Sequence, residues 1–229
     1  IRLGYFGFFT GYLDIADNFI DHELVIVFKT QGMFDGKTAA DIDLIICAAS
    51  NIQRAYPALS IELQQQLGAS GYAFDMNVAC SSATFAINNA VNAIRGGMAK
   101  VVLVVNPEFA SPQVNYTSRD SHFIFGDVCT ATIIEAEDSC TADNAYRING
   151  MRLKTEFSNN IRCDVGYTEH CLPADPLVPF FKQQGRKVFK ELLPIVADVI
   201  LAEMAAQQVA PEQLKRLWLH QANINMNIF

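Results

Sequence analysis

The stretch Asp75–Gly97, "DMNVACSSATFAINNAVNAIRGG", puts a cysteine where an apolar run stops and a small-residue helix begins. Before Cys80, residues Tyr72–Ala79 read as a short buried strand. After it, Ala83, Ala86, Ile87, Ala90, Val91 and Ile94 recur at helical spacing, and Gly96-Gly97 closes the run. A thiol at that junction stands at a helix N-terminus, where unpaired amides and the macrodipole favour an anion. The spacing therefore predicts a lowered thiol pKa and a nucleophile. The plainer alternative is a small core hydrophobe, which is how unpaired cysteine usually behaves. The local sequence leaves both open.

Working outward, the order of elements is regular. Leu44–Ala48 is an apolar strand, and Pro57–Leu67 reads as a helix with proline in its first turn, ended by Gly68. Strand Tyr72–Val78, helix Ser81–Arg95 and strand Val101–Val105 follow, and Thr130–Glu135 supplies another β-rich run. Alternating strands and helices predict an α/β fold with a largely parallel sheet. Beyond Ala145, Tyr146–Phe157 looks extended and Ser158–Asp175 reads as a loop. A long or broken helix is expected over Phe180–Gln207, a strand over Arg216–Leu219, and a helix again from Gln221. Residues 1–144 and 145–229 are thus expected to form two units. The first forty residues are ambiguous, "DHELVIVFKT" above all, and carry no chemistry that can be assigned.

Composition narrows the function. The 229 residues carry a net charge of −7 and no long basic run, which argues against nucleic acid as a partner. The six cysteines (Cys47, Cys80, Cys129, Cys140, Cys163, Cys171) form no CxxC pair or zinc spacing, so no metal is expected. Several lie in apolar segments, as reduced thiols of a cytoplasmic protein would. The longest apolar stretch, Leu192–Ala206, is broken by Pro194, Asp198 and Glu203 and is too short to span a bilayer. The chain opens on Ile1 and stops at Phe229 inside an apparent helix, so a fragment is expected.

A second reactive residue shares the plan of the first. His220 follows the "RLWL" run as Cys80 follows its strand, and in open α/β sheets ligands gather at the carboxyl ends of strands. Standing alone, His220 would be read as a structural histidine.

The segments "NVACSSATFAINNAVNAIRGGMAKVVLVVNPE", "FIFGDVCTATIIE" and "LWLHQAN" resemble the β-ketoacyl-acyl-carrier-protein synthase III family, condensing enzymes of the thiolase fold. The resemblance runs from about Asp41 to Phe229, and "SNNIR" with "QQGRKVFKELLP" is similar to a subgroup primed by medium-chain acyl groups. It implies two thiolase-like halves, residues 1–144 carrying nucleophilic Cys80 and residues 145–229, incomplete, carrying catalytic His220. It also implies a decarboxylating Claisen condensation with malonyl-acyl-carrier-protein, through an acyl-cysteine, in fatty acid biosynthesis. Thioesters of coenzyme A or phosphopantetheine would be substrates, with no separate cofactor. Tyr56, equally readable as an ordinary half-buried tyrosine, and Asn223 would line the substrate path, and Lys190, with Arg186, would receive the acidic carrier protein. Lys182, Arg186 and Lys190 fall at successive i,i+4 places, a basic helical stripe whose plainer reading is a solvated face. A homodimer joined through the strand before Cys80 is implied as well. The family's catalytic asparagine lies downstream of "HQAN", beyond Phe229, and Asn225 stands where a carrier-contacting arginine is frequent. Gly126-Asp127 would be a structural turn. Two alternatives remain: another thiolase-fold condensing enzyme using acyl-CoA or secondary-metabolite substrates, or a non-catalytic partner subunit. The presence of both Cys80 and His220 counts against the latter.

Overall fold

The computed structural model describes residues 24–27, 37–52, 56–140, 142, 145–164 and 180–228. Six strands form one sheet: β1 (Leu24–Val27), β2 (Leu44–Ala48), β3 (Tyr72–Met76), β4 (Val101–Phe109), β5 (Asp127–Ala136) and β6 (Ala145–Ile148). Their spatial order is β3-β2-β4-β5-β1-β6. The ambiguous N-terminal stretch thus contributes β1.

The expectation of a largely parallel sheet needs correcting. Among the described strands only β2 with β3 and β2 with β4 run parallel. β5 lies antiparallel to β4 from Val101↔Glu135 to Phe109↔Asp127, and β1 is antiparallel to both β5 and β6. The cause is the connection. A parallel pair needs a crossover helix, whereas residues 110–126 carry only a short 3-10 turn at Ser111–Gln113 and return the chain antiparallel.

Every residue of β2 is buried, and its alternation serves two faces. Leu44, Ile46 and Ala48 pack with Val102, Val104 and Ile134 against Ala86, Ile87, Ala90 and Val91 of helix α2 (Ser82–Arg95). Ile45 and Cys47 pack with Val101, Leu103 and Val105 toward Leu59, Leu63 and Leu67 of helix α1 (Leu59–Leu67). The strand is therefore sandwiched between helices, and each fully buried isoleucine contributes about 1.5–3 kcal/mol.

α1 begins at Leu59, two residues after Pro57, and lacks a capping side chain of its own because Ala58 holds the N-cap position. Asp75 of β3 supplies the cap instead, its carboxylate accepting from Leu59 N and Ser60 N at 2.8 Å each. Gly68, at φ 69°, ends the helix as expected. Gly71 is also obligatory: at φ +88° a Cβ would sit 2.0 Å from Asp43 O.

β3 lies at the sheet edge. It is partly exposed, with Tyr72 at 39% and Phe74 at 36%, so the expectation of a buried strand fails: among the described residues it has no second neighbour.

After β6 the chain leaves the sheet. The extended run predicted to Phe157 is a strand only as far as Ile148. Ile161–Arg162 and Lys182–Gln183 form a two-stranded ribbon, β7 and β8, ahead of helix α3 (Gly185–Ala206). α3 is continuous despite Pro194. Arg152 ion-pairs with Glu203 at 3.3 Å, and Ser158 and Asn160 of "SNNIR" donate to Glu191 at 2.7 and 2.6 Å. Phe181 N donates to Gln113 O at 2.9 Å and the Phe181 ring meets Phe125 edge-on, tying this segment to the β4–β5 connection. Residues 216–219 form no strand ladder among the described residues, so the expected "RLWL" strand is corrected: Leu217 alone makes a single β-bridge, which is too little to extend into a strand. A short helix, α4 (Ile224–Ile228), follows. No helix among the described residues is long and apolar enough to cross a membrane.

Candidate active site

β2, β3 and β4 all point their carboxyl ends toward one side of the sheet, since their pairings are parallel. Cys80 stands there, between the end of β3 and the start of α2. The turn that delivers it is tight. Ala79 adopts φ 47°, a left-handed conformation that disfavours a residue with a Cβ. Ser82 Oγ donates to Ala79 O at 2.7 Å and accepts from Val78 N at 2.9 Å, closing the turn on itself.

The expected lowering of the thiol pKa does not occur. Cys80 is exposed as a residue, yet protein atoms crowd its sulfur and desolvation pushes the thiol up. The Glu108 carboxylate adds to the rise, and only the Cys80 backbone amide opposes it. The geometry explains why the helix N-terminus loses. Ser81 N and Ser82 N are already bound to Val78 O and Ala79 O at 3.1 and 3.0 Å, so two amides nominally free for an anion are occupied.

Glu108 was missed in the sequence. It sits on the part of β4 that outruns β2, on the α2 side of the sheet by the alternation from Val104. Its carboxylate accepts from Ser50 N at 2.9 Å and Ser50 Oγ at 2.5 Å. The signal was available in "VVNPE", where a carboxylate stands at the end of a buried run, but its partner Ser50, just beyond β2, was not.

His220 is half-buried, and burial lowers its pKa, which favours the neutral imidazole. Asn223 is exposed; its Oδ1 accepts from Asn225 N at 2.9 Å at the start of α4. Tyr56 is 86% exposed. Arg186 and Lys190 are exposed on α3, but Lys182 belongs to β8, so the expected helical stripe of three is corrected to the two that lie on the helix. Asp127 accepts from Ser111 N and Oγ at 2.8 and 2.6 Å, a tie between loop and strand in keeping with a structural turn. Cys171 lies outside the described residues. Among the described residues no cluster of three His, Cys, Asp or Glu side chains is placed to hold a metal ion.

Residues 74–156 match the family of 3-oxoacyl-[acyl-carrier-protein] synthase III. A β-ketodecanoyl-[acyl-carrier-protein] synthase of Pseudomonas aeruginosa is 50% identical over 198 residues, 84% of this chain and 56% of that protein. The chain is a relative of the synthases III. A β-ketoacyl-[acyl-carrier-protein] synthase III of Rhizobium johnstonii is 34% identical over 191 residues, 82% of this chain and 58% of that protein. A crystal structure of a 3-oxoacyl-(acyl-carrier-protein) synthase III superposes with a TM-score of 0.73 at 22% identity, over 83% of this chain and 60% of that one. The thiolase-like fold is thereby established, and the chain spans less than three fifths of the length of these two synthase relatives.

Proposed function

We propose that this protein is an acyltransferase that condenses an acyl thioester with a malonyl thioester to give a β-ketoacyl thioester. The observation that carries the proposal is Cys80 itself, a free cysteine held at the sheet's carboxyl end between β3 and α2 in a chain related to condensing enzymes. Cys80 attacks the acyl carbonyl, the carbon–sulfur bond to the donor thiol breaks, and the cysteine proton leaves with that thiol. The malonyl thioester then loses carbon dioxide, and its enolate carbon attacks the acyl-cysteine carbonyl, releasing the Cys80 sulfur. A neutral His220 is suited to donate a hydrogen bond to the enolate oxygen as its charge develops.

The primer follows from carbon arithmetic. The Pseudomonas aeruginosa relative is named for a β-ketodecanoyl product, and decarboxylative condensation adds two carbons, so an octanoyl primer is proposed here. Arg186 and Lys190, exposed on α3, are proposed to meet the acidic carrier protein. The test is direct. The full-length protein is mixed with octanoyl-CoA and malonyl-acyl carrier protein, and the product chain is measured by mass spectrometry. A β-ketodecanoyl product supports the proposal, and none at any primer length from two to twelve carbons refutes it.

A further inference from the structure

β4 continues past the end of β2, and three side chains tie the overhang to the departing β2 chain. Asn106 Nδ2 donates to Ala48 O at 2.7 Å, Glu108 accepts twice from Ser50, and Asn51 binds both Phe109 N and Phe109 O. The middle tie does not stop at Ser50. Asn77, just beyond β3, donates from Nδ2 to Ser50 O at 2.9 Å, and its Oδ1 accepts from Ala79 N at 2.9 Å. Ala79 is the left-handed residue directly before Cys80.

A non-glycine residue in that conformation carries a cost of about 1–2 kcal/mol and persists only where its surroundings over-determine it. Here the surroundings are a continuous chain of contacts from Glu108 through Ser50 and Asn77 to Ala79, crossing the ends of three strands. A turn that needed support only for folding could close locally, as Ser82 already does. The longer chain adds a link between the turn and a carboxylate on β4. A tenth of an ångström matters little to stability, whereas thiol placement against a thioester carbonyl sets the probability of attack.

We propose that Glu108, Ser50 and Asn77 act as a positioning relay that fixes the Ala79–Cys80 turn and aims the thiol for acyl transfer. The proposal rests on the acyltransferase function above for its catalytic consequence, but not for the relay itself.

The experiment has two arms on the full-length protein. In the first, hydrogen–deuterium exchange is followed by mass spectrometry in the peptide covering Val78–Ser81 for the unaltered protein, Glu108→Ala, Asn77→Ala and Glu108→Gln. Both alanine variants should exchange roughly tenfold faster there, although Glu108 makes no hydrogen bond to Ala79, while exchange in β2 and β4 core peptides stays unchanged. Glu108→Gln keeps an acceptor toward Ser50 and should restore most of the protection. In the second arm, the saturated rate of Cys80 acylation by octanoyl-CoA should fall by roughly ten- to a hundredfold in the alanine variants, with KM within about threefold. Ser50→Ala removes only the hydroxyl contact and serves if Glu108→Ala does not fold. Unchanged exchange at Val78–Ser81 overturns the relay. So does a fall in acylation that tracks KM alone. If the unaltered protein forms no acyl-cysteine, the proposed function fails, and the exchange arm still decides the relay.

Discussion

Cys47 and Asp75 stand opposite each other in the parallel register of β2 and β3, a thiol beside a carboxylate. Burial first, and the Asp75 charge second, push the Cys47 thiol up to about 12 from the ordinary 9.0. The thiol must stay protonated for the folded chain, whereas the unfolded chain loses this proton near 9.0. The folded state therefore binds more protons between those values, and stability falls as pH rises through that window. The contribution is complete below about 9 and gone above about 12. Burial raises Cys80 and Cys129 too, with the same sign. Urea midpoints measured from pH 7 to 11 should decline, and Cys47→Ala should flatten the decline while lowering stability at pH 7 through the cavity it leaves. A slope above pH 9 identical in the two proteins would contradict this.

Incubation with octanoyl-CoA should add one octanoyl group to the intact mass, and Cys80→Ser should abolish it. Because the Cys80 thiol lies above its ordinary value, the loading rate should keep climbing as pH rises past neutrality instead of levelling off early. An adduct that persists in Cys80→Ser, or maps to Cys47 or Cys129, removes Cys80 from the mechanism.

His220→Ala should separate the two half-reactions. Acyl loading should survive in part, because the cysteine proton can leave with the departing thiol. Carbon dioxide release from the malonyl thioester should fall by roughly a hundredfold or more, the usual effect of losing one donor to a developing oxyanion. Equal loss of both halves would make His220 the base that activates Cys80, and little loss of either would make it structural.

The exposed edge β3 should be covered in solution. A strand with no second neighbour among the described residues, and with Tyr72 and Phe74 in part uncovered, is a template for a second copy. Sedimentation of the full-length protein at micromolar concentration should give a dimer, and Phe74→Lys should shift it toward monomer. A fully active monomer of the unaltered protein would contradict this.

Much of the fold could be read directly because its signals are local. The apolar run Leu44–Ala48, the helical spacing after Cys80 and the glycine at 68 each announce an element within a few residues. Strand direction is different. β5 reads as a strand wherever it goes, and only the return path through residues 110–126 decides that it runs against β4. The position of Cys80 between strand and helix was legible for the same local reason. Its raised pKa was not, because the causes are crowding around the sulfur and a carboxylate brought in from another strand. Asp75 likewise looked like one more residue of β3, and its capping role appears only when α1 folds over it.

The relay has a consequence for how the protein is made. Each of its members, with the strand ends that carry them, falls between Ala48 and Phe109, whereas His220 is encoded more than a hundred residues later. At ordinary translation speeds the two are synthesised roughly 5–20 seconds apart, with domains generally folding from the N-terminal side first. The bed of the nucleophile is thus complete in covalent terms before the histidine exists. In the folded bed desolvation and Glu108 raise the thiol, which disfavours the thiolate, the form that reacts with oxidants and electrophiles. The local environment that opposes the helix's pull on the thiol is thus encoded wholly in the part of the chain made first.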